Sequence, residues 1–156
     1  MKIVFFGVGA VCSVMATLLD ELSNKSKQKD INFIFVVRNI KKAQAHFFKN
    51  SNVLNKSDFL EIKHFEEIFE DSKKYENYLR NSDIFINSST PSFNLPIMNL
   101  ALKYNTNYAD LASDIYKDEI ISTLKFDQQI LENEFKYQNL FALINLGISP
   151  GITNFL

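Results

Sequence analysis

Apolar positions in this chain follow two rhythms: short dense runs, and longer stretches where they recur every three or four residues. The first rhythm predicts buried strands and the second amphipathic helices. KIVFF, at 2–6, is a dense run and predicts a buried strand. From Ala10 to Leu22 the residues Val11, Val14, Met15, Leu18, Leu19 and Leu22 fall on one helical face. The polar octet SNKSKQKD separates this helix from a second strand at 31–37, apolar enough for a central parallel strand. Asn39 is placed to cap a helix reaching about Phe48. Residues 51–57 read as a loop, 59–63 as a weaker strand and 72–80 as a short helix. DIFIN, at 83–87, predicts a strand and SSTP a turn. A helix is expected at 93–104, a short strand at 107–111, and mostly helix over 114–137 with a break near 124–126. A last strand is expected at 140–146, then a turn at GISPG, with Pro150, Thr153 and Asn154 opening another helix.

Six strands alternating with helices imply right-handed βαβ crossovers, hence a parallel sheet covered on both faces. The expected class is α/β, a Rossmann-type doubly wound sheet of about six strands. No internal repeat or low-complexity tract is visible. The expected domain covers 1–146, and 147–156 are expected to begin a crossover into a second domain outside this sequence.

Composition narrows the partners. A chain of 156 residues, 46% apolar and 22% charged, suits one soluble globular domain that buries its core without staples. A net charge of −1 argues against nucleic acid or an anionic membrane as the main partner. Lys41 and Lys42 are too small a basic patch to change that. The single cysteine excludes an internal disulfide and suits a reducing compartment. No signal-peptide pattern follows Lys2, and no apolar run reaches the ~20 residues that span a bilayer, so the cytoplasm is expected. The 15 phenylalanines accompany many Asn, Lys and Ile residues, as an AT-rich coding sequence would give, and are not counted as a functional clue. His46 and His64 have no ligand partners at metal spacing, so no metal is expected. EEIFED, at 66–71, reads as a solvated loop or helix face.

The four glycines carry the candidate chemistry. Average usage would give roughly eleven in a chain this long. Gly7 and Gly9 follow the first strand, and Gly147 and Gly151 follow the last. A strand, a glycine turn and a helix together aim backbone N–H groups at a phosphate. In G-x-G-x-x-G the first glycine turns the chain, the second admits the pyrophosphate and the third lets helix and strand approach. Here Cys12 holds the third place, which sets the helix slightly further out. Gly7, Val8, Gly9, Ala10 and Val11 are therefore candidate cofactor contacts. The second strand ends in FVVRN. Val37 stands where an acid would hold the ribose of NAD, and Arg38 follows, suited to a 2′-phosphate. Arg38 and Asn39 join the candidates, with donors from Lys41 and Lys42, and NADP is expected in preference to NAD. Asn87, Ser88 and Ser89, with Thr90 and Pro91, lie at the carboxyl end of the fourth strand, where open α/β sheets bind ligands. The same run also reads as a turn capping the next helix. Two other readings of the glycine loop remain: a turn without a ligand, and the nucleotide loop of a methyltransferase.

With these segments placed, the chain resembles the saccharopine dehydrogenase superfamily along nearly its whole length. GVGAVCSVMATLL is similar to that family's GxGxVGxxxAxxL opening, and VVRNIKKAQ to its DRNxxKA segment. DIFINSSTPSFNLPIMNLALKYNTNYADLA resembles DVVINxxPPxxxxPVxxACIxxGxxYxDxx, and GISPGITNFL resembles GxxPGxxNLL. Cys12, Val37 and Asn105 or Thr106 depart from these patterns, the last in place of a common glycine. The resemblance implies a nicotinamide-dependent oxidoreductase acting on a C–N bond of an amino-acid or polyamine-type small molecule. It implies further that Asp110, near Tyr108 on the fifth strand, borders the substrate and serves catalysis; an ion pair or cap is its plainer reading. A homodimer is one expected assembly. The alternative function is a stand-alone nucleotide-binding regulatory module.

Overall fold

In β1 (Lys2–Phe6) Ile3 and Phe5 enter one hydrophobic cluster and Val4 and Phe6 another, and all four are buried. Successive side chains of a strand point to opposite faces, so β1 must be covered on both. It pairs in parallel with β2 (Asn32–Val37) on one side. A second parallel pairing extends the same sheet outward from β2 to β3 (Ser57–Glu61). On the other side of β1 lie β4 (Ile84–Asn87) and β5 (Asn107–Asp110). The short edge strand is β8 (Ala142–Leu143), and the sheet order is β3-β2-β1-β4-β5-β8. The chain winds outward from β1 to β3 and then crosses back to β4. Its direction therefore reverses between β1 and β4, the place where doubly wound sheets open a binding crevice.

The structure, a computed structural model, describes residues 1–26, 30–47, 51–112, 115–116, 121–122 and 128–147. On one face lie α1 (Ala10–Ser26), α2 (Ile40–Ala45) and α3 (Ser51–Asn55), packed over Ile3, Phe5, Phe33 and Phe35. On the other lie α4 (Glu66–Glu70), α5 (Glu76–Leu79), α6 (Asn94–Lys103) and α7 (Glu132–Tyr137), over Val4, Phe6, Phe85 and Tyr108. Many phenylalanines are spent on these layers. Phe35 alone meets Phe5, Phe47 and Phe59 with ring centroids 5.0–5.6 Å apart.

Several expectations need correction. The apolar stripe of α1 was expected inward, yet Val11 and Val14 are each 57% exposed, and Leu18 and Leu22 are exposed too. Its buried face is Cys12, Ala16, Asp20 and Ser23. Small residues let the helix lie close to the sheet, and Lys56 Nζ at 2.8 Å compensates the buried Asp20 carboxylate. Residues 51–55 form α3 instead of a loop, anchored by the fully buried Val53. The third strand begins two residues early, at Ser57. The stretch expected as helix over 114–137 contains a small antiparallel hairpin, β6 (Ile115–Tyr116) with β7 (Ile121–Ser122). Among its described residues the last part is helical, a 3-10 turn at Gln129–Leu131 and then α7. The turn at GISPG past Gly147 and the helix opening at Pro150 lie outside the described residues.

Candidate functional site

Beyond Phe6 the chain has to turn, and Gly7 does so at φ +92°, where a side chain strains the backbone. A Cβ on Gly7 would also lie 2.8 Å from the Cβ of Ser89. The Gly7 N–H donates to the Val36 carbonyl at 2.9 Å, and the Ser88 hydroxyl donates to the Gly7 carbonyl at 2.8 Å. The glycine loop is thus held between β2 and the turn after β4. Gly9 differs, because a Cβ there would meet no heavy atom within 4 Å. Among the described residues nothing needs this position bare, so the open side suits a ligand lying against the backbone. Cys12 is 1% exposed and packs in the α1-side core. Burial pushes its thiol up to about 12, with the Ser88 hydroxyl as its hydrogen-bond partner. A thiol so placed packs and does not attack.

The opposite wall comes from the end of β2. Val37 is buried, while Arg38, Asn39 and Lys42 are exposed. Asn39 Oδ1 accepts from the Lys42 N–H at 2.8 Å and caps α2, as its residue type predicted. Glu61, opposite Val37 in the β2–β3 register, accepts from the Ile40 N–H at 3.1 Å. This acid was not visible as a site neighbour in the sequence, because only strand pairing brings it there.

One cleft of about 270 Å³ joins these parts. Its lining is the loop Gly7, Val8 and Gly9, the turn Ser88, Ser89 and Thr90, and the β2–α2 junction with Arg38, Asn39 and Lys42. Phe65, just before α4, also lines it and had no sequence signal beyond being an aromatic residue after a strand. Ala10, Val11, Asn87, Pro91 and Asp110 do not line it. Ala10 and Val11 begin α1, where backbone N–H groups lack helical partners. Pro91 opens the 3-10 turn Pro91–Phe93. Asn87 is buried beneath the turn, its Oδ1 accepting from Ser89 N–H at 3.0 Å and Ser89 hydroxyl at 2.7 Å.

Asp110, expected beside the substrate, is 0% exposed. Its Oδ2 accepts from Gln128 at 2.6 Å and lies 3.0 Å from the Tyr108 hydroxyl, and its Oδ1 accepts from Asn145 N–H at 2.8 Å. Desolvation raises its carboxyl above the usual range, opposed by these donors. In this geometry it anchors the sheet's end and contacts no open space. Larger grooves, of about 490 Å³ beside α1 and α3 and about 600 Å³ at the amino end of β4 and β5, lie away from the glycine loop. Backbone geometry, and not groove size, therefore selects the site. Among the described residues, no group of three or more His, Cys, Asp or Glu could hold a metal. No helix there is long and apolar enough to cross a membrane.

Comparisons with known proteins agree with this fold. A family model described as the saccharopine dehydrogenase NADP binding domain matches residues 3–143. The fold is similar to apo saccharopine dehydrogenase (L-Glu forming) from Saccharomyces cerevisiae, with TM-score 0.66 and 18% identity. That match covers 97% of this chain and 28% of the yeast chain. An NAD binding oxidoreductase from Klebsiella pneumoniae matches with TM-score 0.58 and 10% identity, over 92% of this chain and 34% of that one. The chain thus spans about a third or less of the solved relatives it resembles. No curated protein sequence matches it. A Rossmann-type sheet, a glycine loop at its switch point and a family match over most of the length converge: the chain belongs to the saccharopine dehydrogenase NADP-binding-domain family.

Proposed function

We propose that this chain is the NADP-binding part of an oxidoreductase acting on a C–N bond of a small amino-acid or polyamine-type molecule. The observation that carries the cofactor reading is Gly9, whose missing side chain leaves backbone open in a cleft rimmed by Arg38 and Lys42. A nicotinamide bound there would supply the hydride chemistry, and the protein its orientation. Gly9 and the first turn of α1 would take the pyrophosphate. Arg38, following a neutral strand end, would take a 2′-phosphate with Lys42 beside it. Ser88, Ser89 and Thr90 would wall the other side. The substrate class rests on family membership, and a second domain would hold that substrate. Binding without turnover is therefore the expected behaviour of these residues alone.

Titration calorimetry with NADP, NAD and S-adenosylmethionine tests the reading. Tighter binding of NADP than NAD supports it. Binding of S-adenosylmethionine in preference to either would favour a methyltransferase, and binding of none would sink the cofactor reading. The exposed apolar stripe of α1 favours a second reading, a regulatory module that pairs with a second copy when nucleotide binds. Light scattering with and without NADP checks it: a nucleotide-dependent doubling of mass supports the module, and an unchanged mass removes it.

A further inference from the structure

The cleft rests on a layer of buried polar side chains at the carboxyl ends of β4 and β5. Asn87, Asn94, Tyr108, Asp110 and Gln128 are all buried, and no buried side-chain nitrogen or oxygen among the described residues lacks a partner. The orientation of the two amides is fixed by backbone at either end. Asn87 turns its oxygen to the Ser89 N–H, so its nitrogen faces inward. That nitrogen donates to the Thr90 carbonyl at 3.0 Å and to Asn94 Oδ1 at 2.7 Å. Asn94, the first residue of α6, turns its own nitrogen to the Ala112 carbonyl at 2.7 Å. Its oxygen also lies 3.1 Å from the Tyr108 hydroxyl. Position 94 must therefore offer an acceptor on one side and a donor on the other, in a dry place. An amide does both; a carboxylate or an apolar side chain does not.

This layer reaches the glycine loop in two steps. Asn94 holds Asn87, and Asn87 holds Ser89, whose Cβ occupies the place a Gly7 side chain would need. Ser88, next in the same turn, donates to the Gly7 carbonyl. We propose that Asn94 is a positioning residue of the cofactor cleft: through Asn87 it keeps the turn 88–90 packed on the glycine loop in the shape that receives a pyrophosphate. The inference rests on the dinucleotide reading above. Asn94 touches no part of the cleft itself, so its effect must arrive through the loop and spare the Arg38 rim.

The test compares the whole cofactor with a fragment. NADPH binding, followed by nicotinamide fluorescence, needs the glycine loop, whereas 2′-AMP, followed by calorimetry, would need only the rim. Asn94→Leu should weaken NADPH by about ten-fold, the scale of one buried hydrogen-bonded link, while 2′-AMP affinity stays within about two-fold. Should Asn94→Leu fail to fold, Asn94→Ser serves: its hydroxyl is too short to reach Asn87, and the same split is expected. Unchanged NADPH binding in a folded variant, or equal weakening of both ligands with a lowered Tm, overturns the proposal. Wild-type protein that binds neither ligand sinks the cofactor reading, and this inference with it.

Discussion

Gly7 and Gly9 sit two residues apart and do different work, and substitution should separate them. Gly7→Ala forces a side chain into φ +92° and onto Ser89, at a cost of about 1–3 kcal/mol in stability. Gly9→Ala meets nothing among the described residues and should leave stability within about 0.5 kcal/mol, yet weaken NADP binding. Denaturant melts and titration on the two variants check this; equal loss of stability would contradict it. The sequence showed that glycine was scarce and therefore placed, but not what replaced it elsewhere. Asn81, Asn105, Asn139 and Asn145 take φ values of 51–60°. Asparagine tolerates that region, so Asn105 can stand at the end of α6 where the family commonly has glycine. Asp110 shows the other limit of reading residues singly. Its neighbours Gln128 and Asn145 come from distant stretches, so an acid at a strand end looked accessible when it is enclosed. Because burial raises its pKa above the unfolded value, the folded chain holds that proton more tightly. Asp110 thus costs stability as pH climbs from about 4 through its raised value. The lowered pKa values of Glu67 and Glu132 work in the opposite sense, at lower pH. Comparison with Asp110→Asn isolates the effect: the wild type's advantage in Tm should shrink as pH rises toward neutrality. An advantage that grows would contradict the burial argument.

Elements were legible where a dense apolar run or a cap set them. β1 falls at the expected residues, and the Asn39 cap is present. Failures came where volume or register mattered more than polarity. A periodic apolar stripe says which face of α1 is greasy, but not which face can approach a sheet closely. Cys12 and Ala16 can, so they are inside, and the bulkier Val14 and Leu18 are pushed to the flank. The consequence inverts the usual expectation. Ala16→Leu should overpack the core and cost about 1–3 kcal/mol, whereas Leu18→Ala should stay within about 0.5 kcal/mol. Urea unfolding of both variants decides it, and a larger loss from Leu18→Ala would return the stripe to the core. The short α3 and the β6–β7 hairpin were missed for another reason. Segments of two to five residues carry too few apolar positions to define a period, and contacts made elsewhere in the chain decide their form.

At the scale of the whole molecule, the alternation of strands and helices was enough to predict the parallel sheet, and the strand order follows from right-handed crossovers. The order brings residues 7–9, 37–42 and 88–90 to one place, although 81 residues separate Gly7 from Ser88. Sequence reading found the glycine loop and its two flanking segments because each sits at a strand end. It could not find Phe65, Asn94 or Gln128, which gain their place from packing alone. The central claim is that the β2 end reads a 2′-phosphate through Arg38. The most direct measurement is the ratio of NAD to NADP dissociation constants for wild type and Arg38→Ala. NADP should bind wild type more tightly than NAD, and the substitution should lower the preference roughly ten- to hundred-fold by weakening NADP alone. Equal weakening of both cofactors, or no preference in the wild type, would contradict it.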